Sequence, residues 1–63
     1  MSRRHGENRL VDIAAEKLGE TAAVYRIFDG TKVEWVPKSQ VDYNEDDGIF
    51  TMPMWLAKEK EFI

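Results

Sequence analysis

Val33-Glu34-Trp35-Val36-Pro37-Lys38-Ser39-Gln40-Val41 is the stretch on which the fold turns. Taken alternately, Val33, Trp35, Pro37, Ser39 and Val41 fall on one side, and Glu34, Val36, Lys38 and Gln40 on the other. One side is mostly apolar and the other mostly polar, the pattern of a half-buried strand. Pro37 interrupts it, because proline has no N–H for a ladder and a fixed φ. The stretch therefore predicts a strand to about Val36 with Trp35 turned inward, a corner from Pro37 to Gln40, and a strand resuming at Val41.

Upstream, residues 22–28 read AAVYRIF, rich in β-branched and aromatic residues. Asp29-Gly30 follows, a strong signal for a tight hairpin turn with positive φ. A two-residue turn pairs Phe28 with Thr31, Arg26 with Val33 and Val24 with Trp35. Val24, Phe28, Val33 and Trp35 then share one face, with Arg26 among them. Tyr25, Ile27 and Val36 share the other. Neither face is wholly polar, which predicts a sheet covered at least partly on both sides. Downstream, Val41-Asp42-Tyr43 and Ile49-Phe50-Thr51-Met52 flank an acidic run with a second Asp-Gly, Asp47-Gly48. A turn there pairs Tyr43 with Met52 and Glu45 with Phe50, a second hairpin.

Both ends read as helix. Asn8 is a suitable N-cap, and Leu10, Ile13, Ala14 and Leu18 recur at helical spacing, with Gly19 placed to end the element. The prediction is a helix over residues 9–18 packed on the sheet. Pro53 suits the first position of a last helix formed by residues 54–61, with Trp55, Leu56 and Phe62 on one side. Residues 1–7 read as a flexible basic arm. The fold class is α+β: a single domain, 1–63, in which two hairpins joined by a proline corner form a small antiparallel sheet or partial barrel between an N-terminal and a C-terminal helix.

The 63 residues include no cysteine, so neither disulfides nor thiolate metal sites are available, and a chain this short is marginal as a fold on its own. The net charge is −3, unevenly spread. Residues 1–9 carry Arg3, Arg4 and Arg9 against Glu7; residues 41–48 carry Asp42, Glu45, Asp46 and Asp47 and no base. Mild acidity argues against a general nucleic-acid binder. No apolar run approaches a membrane span, and no apolar stretch follows Arg3-Arg4 to make an export signal, which together with the absence of cysteine predicts a cytoplasmic protein.

Two resemblances add to this reading. The string from Trp35 to Val41 resembles the strand, 3₁₀ turn and strand that close SH3-type small barrels: an apolar residue, Pro, three short or polar residues, then Val. It implies the barrel-like corner only, since the acidic, aromatic-rich first loop of the SH3 ligand groove has no counterpart here. Residues 33–63 resemble small uncharacterised proteins encoded by bacteriophages and prophages, through Trp35, Pro37, Lys38, Ser39, Gln40, Pro53, Trp55, Leu56 and Ala57. That resemblance implies an origin and a fold type, and no activity.

Candidate sites divide accordingly. His5 is the only histidine and lies in the arm, Ser39 lacks a nucleophile-elbow setting, and Gly6, Gly19, Gly30 and Gly48 are isolated, so no enzyme is expected and no cofactor. Asp42, Asn44 and Asp46 have the first spacings of a calcium loop, but Asp47 stands where glycine is needed and Pro53 where a bidentate Glu is needed, so no metal site is expected. The acidic hairpin, Asp42, Glu45, Asp46 and Asp47, and the Met54-Trp55 pair are the candidate surfaces for a protein partner. Arg3, Arg4, Arg9, Lys38 and Gln40 are the candidate contacts for nucleic acid, while Ser39 and Gln40 also suit tying down the corner's own backbone. A homodimer sharing Trp55 and Phe62 is a further possibility. The expected function is a non-enzymatic protein-interaction module of the phage accessory or inhibitor type, with a small-barrel nucleic-acid binder as the alternative.

Overall fold

The structure, a computed structural model, describes residues 9–63. The expected arm over residues 1–7 and the Asn8 cap lie outside them. Six strands, a 3₁₀ turn and one short helix follow in order: β1 (Leu10–Ala14), β2 (Glu16–Glu20), β3 (Val24–Phe28), β4 (Val33–Pro37), the 3₁₀ turn (Lys38–Gln40), β5 (Asp42–Asn44), β6 (Ile49–Pro53) and α1 (Met54–Glu59). They form two three-stranded antiparallel sheets, β1-β6-β5 and β2-β3-β4, which do not close into a barrel.

The proline corner falls where the sequence places it. Pro37 is extended, Lys38 to Gln40 make the 3₁₀ turn, and Val41 returns to extended backbone with φ −131° and ψ 134°. The Lys38 N–H, freed by the turn, donates to the Ala23 carbonyl at 2.8 Å. Ser39 and Gln40, expected to tie down the turn with their side chains, are exposed; backbone bonds hold it instead.

The N-terminal helix is not formed. Residues 10–14 and 16–20 are strands β1 and β2, nearly continuous across Ala15. The helical stripe has a rival at period two, Val11, Ile13, Ala15, Lys17 and Gly19, and these are the residues with reduced exposure. Of the stripe itself only Ile13 is buried, while Leu10 is 62% exposed and Leu18 38%. An isolated three-turn helix is unstable in water. The same residues laid along two hairpins set Val11 opposite Met52 and Ile13 opposite Phe50, and tertiary pairing overrides a weak propensity.

Both hairpins form, with each loop widened from two residues to four. Phe28 pairs with Val33, Arg26 with Trp35 and Val24 with Pro37, two residues away from the expected register. The cause is Asp29. Its Oδ1 accepts bonds from the Thr31 N–H at 2.8 Å and the Lys32 N–H at 2.9 Å, so the carboxylate closes a longer loop around Gly30, whose φ is 105°. In the second hairpin Tyr43 pairs with Phe50 rather than Met52. There the Asn44 carbonyl accepts from both Asp47 and Gly48, and Gly48 turns the chain with φ 68°. A shift of two keeps every side chain on its expected side.

The core lies between the sheets and under α1: Ile13, Ile27, Val36, Val41, Phe50, Met52, Leu56 and Ala57. Tyr25, Ile27 and Val36 thus face inward. Val24, Phe28, Val33 and Trp35, expected under cover, form the outer face, with Val33 45% and Trp35 49% exposed. The missing helix is the reason: the segment expected to cover that face forms strands β1 and β2 instead, and Val24 and Phe28 are only half-buried.

Pro53 proves to be the N-cap residue of α1 (φ −62°, ψ 146°), and the Met54 N–H donates to the Arg9 carbonyl at 2.7 Å. The helix is shorter than expected because a Schellman turn ends it. Phe62 N–H reaches Ala57 O at 2.8 Å and Glu61 N–H reaches Lys58 O at 3.0 Å, with Glu61 left-handed at φ 62°. Phe62 then folds back on the core. Glycine at that position relieves the left-handed strain but loosens the unfolded chain. Glu61→Gly is expected to stabilise the fold by about 0.5–1 kcal/mol, and the β-branched Glu61→Val to destabilise it, in urea unfolding.

Candidate functional site

The outer face of β2-β3-β4 is built row by row from the strand pairings. Glu16, Phe28 and Val33 form one row, Gly19, Arg26 and Trp35 the next, and Val24 and Pro37 the last. The β2–β3 register shifts between Lys17 and Gly19, so Leu18 has no partner across the ladder and stands 38% exposed. The result is an apolar surface carried on β3 and β4, with one guanidinium in its middle row. Arg26 lies over the Trp35 ring, 5.8 Å from the centroid.

Three lysines lie over rings elsewhere, and each is also held by acceptors. Lys17 is 5.4 Å from the Tyr43 centroid and donates to Glu20 Oε1 at 2.6 Å. Lys38 is 5.0 Å from the Tyr25 centroid and donates to Glu20 Oε2 at 2.6 Å. Lys32 is 5.2 Å from the Phe62 centroid, bonds Asp29 Oδ2 at 3.0 Å and the Glu61 carbonyl at 2.6 Å. Glu20 thus bridges a lysine of β2 and a lysine of the 3₁₀ turn across the open end of the Tyr25–Tyr43 pair. Hydrogen bonds from Lys17 and then Lys38 pull the Glu20 carboxyl from 4.5 to about 2, and the Lys17 ammonium is raised in turn by its bond to Glu20. The backbone N–H groups of Thr31 and Lys32 hold Asp29 far below the usual carboxylate range. Arg26 has no carboxylate partner among the described residues.

The expected site residues are placed as follows. Asp42, Glu45, Asp46 and Asp47 are all exposed on β5 and its loop. Asn44 organises that loop, accepting from the Asp46 N–H at 3.1 Å and donating to Asp47 Oδ2 at 3.2 Å. Among the described residues no group of three or more His, Cys, Asp or Glu side chains is disposed to hold a metal ion. Met54 and Trp55 are half-buried, and Trp55 and Phe62 each pack against the core. Lys38 is bound to Glu20, Gln40 is exposed beside it, and Arg9 is exposed at the start of β1. Arg3 and Arg4 lie outside the described residues. The four acidic residues share β5 and the loop that follows it, Met54 and Trp55 share the first turn of α1, and Lys38 and Gln40 share the 3₁₀ turn. The outer face of β3 and β4 is the one sequence alternation marked as a face but placed under cover; Arg26 in its midst was the signal that it meets water.

No family model, no curated protein and no solved structure matches this chain. Among the described residues no helix is long and apolar enough to cross a membrane.

Two predictions follow from these placements. Trp35→Thr and Val33→Thr keep a strand-favouring residue on the outer face, and each is expected to cost about 1 kcal/mol or less, whereas Val36→Ala, one position away and fully buried, costs about 2 kcal/mol in the same urea titration. The second concerns acid. A carboxyl lowered from 4.5 to about 2 stabilises the fold fully above the upper value, and the stabilisation drains away as pH falls through the lower one. Glu20→Gln is expected to be less stable than the parent near neutral pH and to show a shallower fall in stability across that acid window, read by thermal unfolding.

Proposed function

We propose that this chain is a non-enzymatic protein-interaction module, an accessory or inhibitor protein of the phage type to which residues 33–63 bear their resemblance, and that it docks through the outer face of β3 and β4. The observation that carries the reading is the exposure of Val33 and Trp35 at 45% and 49% on a chain of 63 residues. Small domains have few large side chains to spare for solvent, and aromatic and arginine residues grouped on one surface are the usual anchors of protein interfaces. The succession of β4, 3₁₀ turn and β5 supports treating the fold as an SH3-like variant of the small β architectures. Asp42 on β5, with Glu45, Asp46 and Asp47 in the loop between β5 and β6, offers a second, charged surface.

The nucleic-acid alternative draws on Arg3, Arg4, Arg9, Lys38 and Gln40, with Trp35 and Tyr43 as the rings near the Lys38 corner. It is the weaker reading because Lys38, Lys17 and Lys32 are engaged with Glu20 and Asp29, and the net charge is −3. The deciding experiment is affinity capture from lysate of the source cells. Parent chain and a Val33→Thr/Trp35→Thr double variant are immobilised side by side, and nuclease is added to half of each sample. A protein retained by the parent, lost with the variant and indifferent to nuclease is the expected outcome. Retention of nucleic acid alone, or of nothing that the variant fails to retain, refutes the proposal.

A further inference from the structure

We propose that the occupant of this face is a protein segment that places one carboxylate among apolar side chains, the carboxylate pairing with Arg26 while the apolar side chains cover Trp35, Val33 and Phe28. The inference rests on the protein-interaction reading above and adds the chemistry of the partner.

It starts from an asymmetry among four cations that lie over rings. Lys17 and Lys38 share Glu20, each at 2.6 Å, and Lys32 has Asp29 at 3.0 Å. Each lysine already has a carboxylate acceptor within the fold, although Lys17 and Lys38 share one. Arg26, 5.8 Å from the Trp35 centroid, has no carboxylate partner among the described residues. Its guanidinium presents five donors in a planar fork, a geometry matched by a carboxylate taken bidentately. In the isolated chain water serves those donors. A partner that covers Trp35 and Val33 removes that water, and a buried guanidinium left without an acceptor opposes docking strongly. A neutral apolar surface is therefore a poor occupant. One acidic side chain set between apolar ones satisfies both parts of the face.

The same charge argues against the other occupants. Two copies docked face to face about a two-fold axis would bring the two Arg26 side chains onto one desolvated patch, like charge on like. A head-to-tail contact onto another surface of the chain leaves its own ends open and does not close on a dimer. A nucleic-acid strand brings many phosphates and needs several cations; this face has one, with Glu16 beside it in the neighbouring row.

The test is selection from a library of short random displayed peptides on the immobilised full-length chain, run in parallel on Arg26→Glu, Arg26→Gln and Trp35→Thr, each first shown by circular dichroism to be folded. The parent is expected to enrich peptides bearing Asp or Glu flanked by Val, Ile, Leu, Phe or Trp, at least about tenfold over Trp35→Thr. Arg26→Gln is expected to lose the acidic preference, and Arg26→Glu to exchange it for Lys or Arg. Acid-free consensus peptides, or an acidic preference that survives Arg26→Glu, would overturn the inference and leave the interaction reading standing. No enrichment over Trp35→Thr would overturn both. A dimer seen by light scattering and dissociated by Trp35→Thr would also overturn it, by showing a second copy as the occupant.

Discussion

Phe50 is fully buried between two tyrosines: the Tyr43 ring stacks on it at 4.3 Å between centroids, and the Tyr25 ring meets it edge-on at 5.6 Å. These three rings come from β6, β5 and β3, so they span two sheets that share no ladder. In a short chain without cysteine, ring packing of this kind has to do what a disulfide does elsewhere. The chain itself ties the sheets twice more, at the proline corner between β4 and β5 and where β1 runs into β2 across Ala15, whose N–H donates to the Gly48 carbonyl at 3.1 Å. The lysine pair on Glu20 closes the tyrosine end of the cluster, since Lys17 lies over Tyr43 and Lys38 over Tyr25. Most of the large apolar side chains that the fold can bury face this cluster. The outer faces are left with whatever the alternation puts there.

Much of the architecture was legible because its signals were local. Pro37 pairs with Val24 as the last residue of β4 but has no N–H of its own to give, so the corner and the resumed strand could be placed to within a residue. Asp29-Gly30 and Asp47-Gly48 announce reversals, but the turn type depends on which side chains reach the loop N–H groups. Asp29 and Asn44 each reach further than a tight turn requires, and the registers moved by two. The N-terminal segment was misread because its pattern supports two periods. Leu10, Ile13, Ala14 and Leu18 make a helical stripe, and Val11, Ile13 and Ala15 make a strand; only the presence of β6, forty residues on, decides between them. That information is not local to the segment.

The site was half legible for a related reason. Alternation sorts residues into two faces but does not say which face is inside. Val24, Phe28, Val33 and Trp35 carry more apolar surface than Tyr25, Ile27 and Val36, and apolar weight alone chooses the wrong side. The choice is made by fit: Ile27 and Val36 are fully buried with the Phe50 cluster, and the bulkier set has Arg26 at its centre. A charged side chain in the middle row of a face is a stronger sign of solvent than several apolar ones are of burial, because a single buried guanidinium without a partner outweighs them.

Arg26 also bears on how such a surface stays out of trouble. An exposed tryptophan and valine on an edge strand are the kind of feature that drives indiscriminate association. Here the guanidinium rests on the indole face and keeps water beside it, so an unselective apolar contact must first strip that charge. The short strand ends in Pro37, which has no N–H to offer a further strand. Together these features leave a face that is apolar enough to bind yet resists any surface that cannot answer one positive charge. Selectivity on this view comes less from the shape of the patch than from the cost of covering it wrongly.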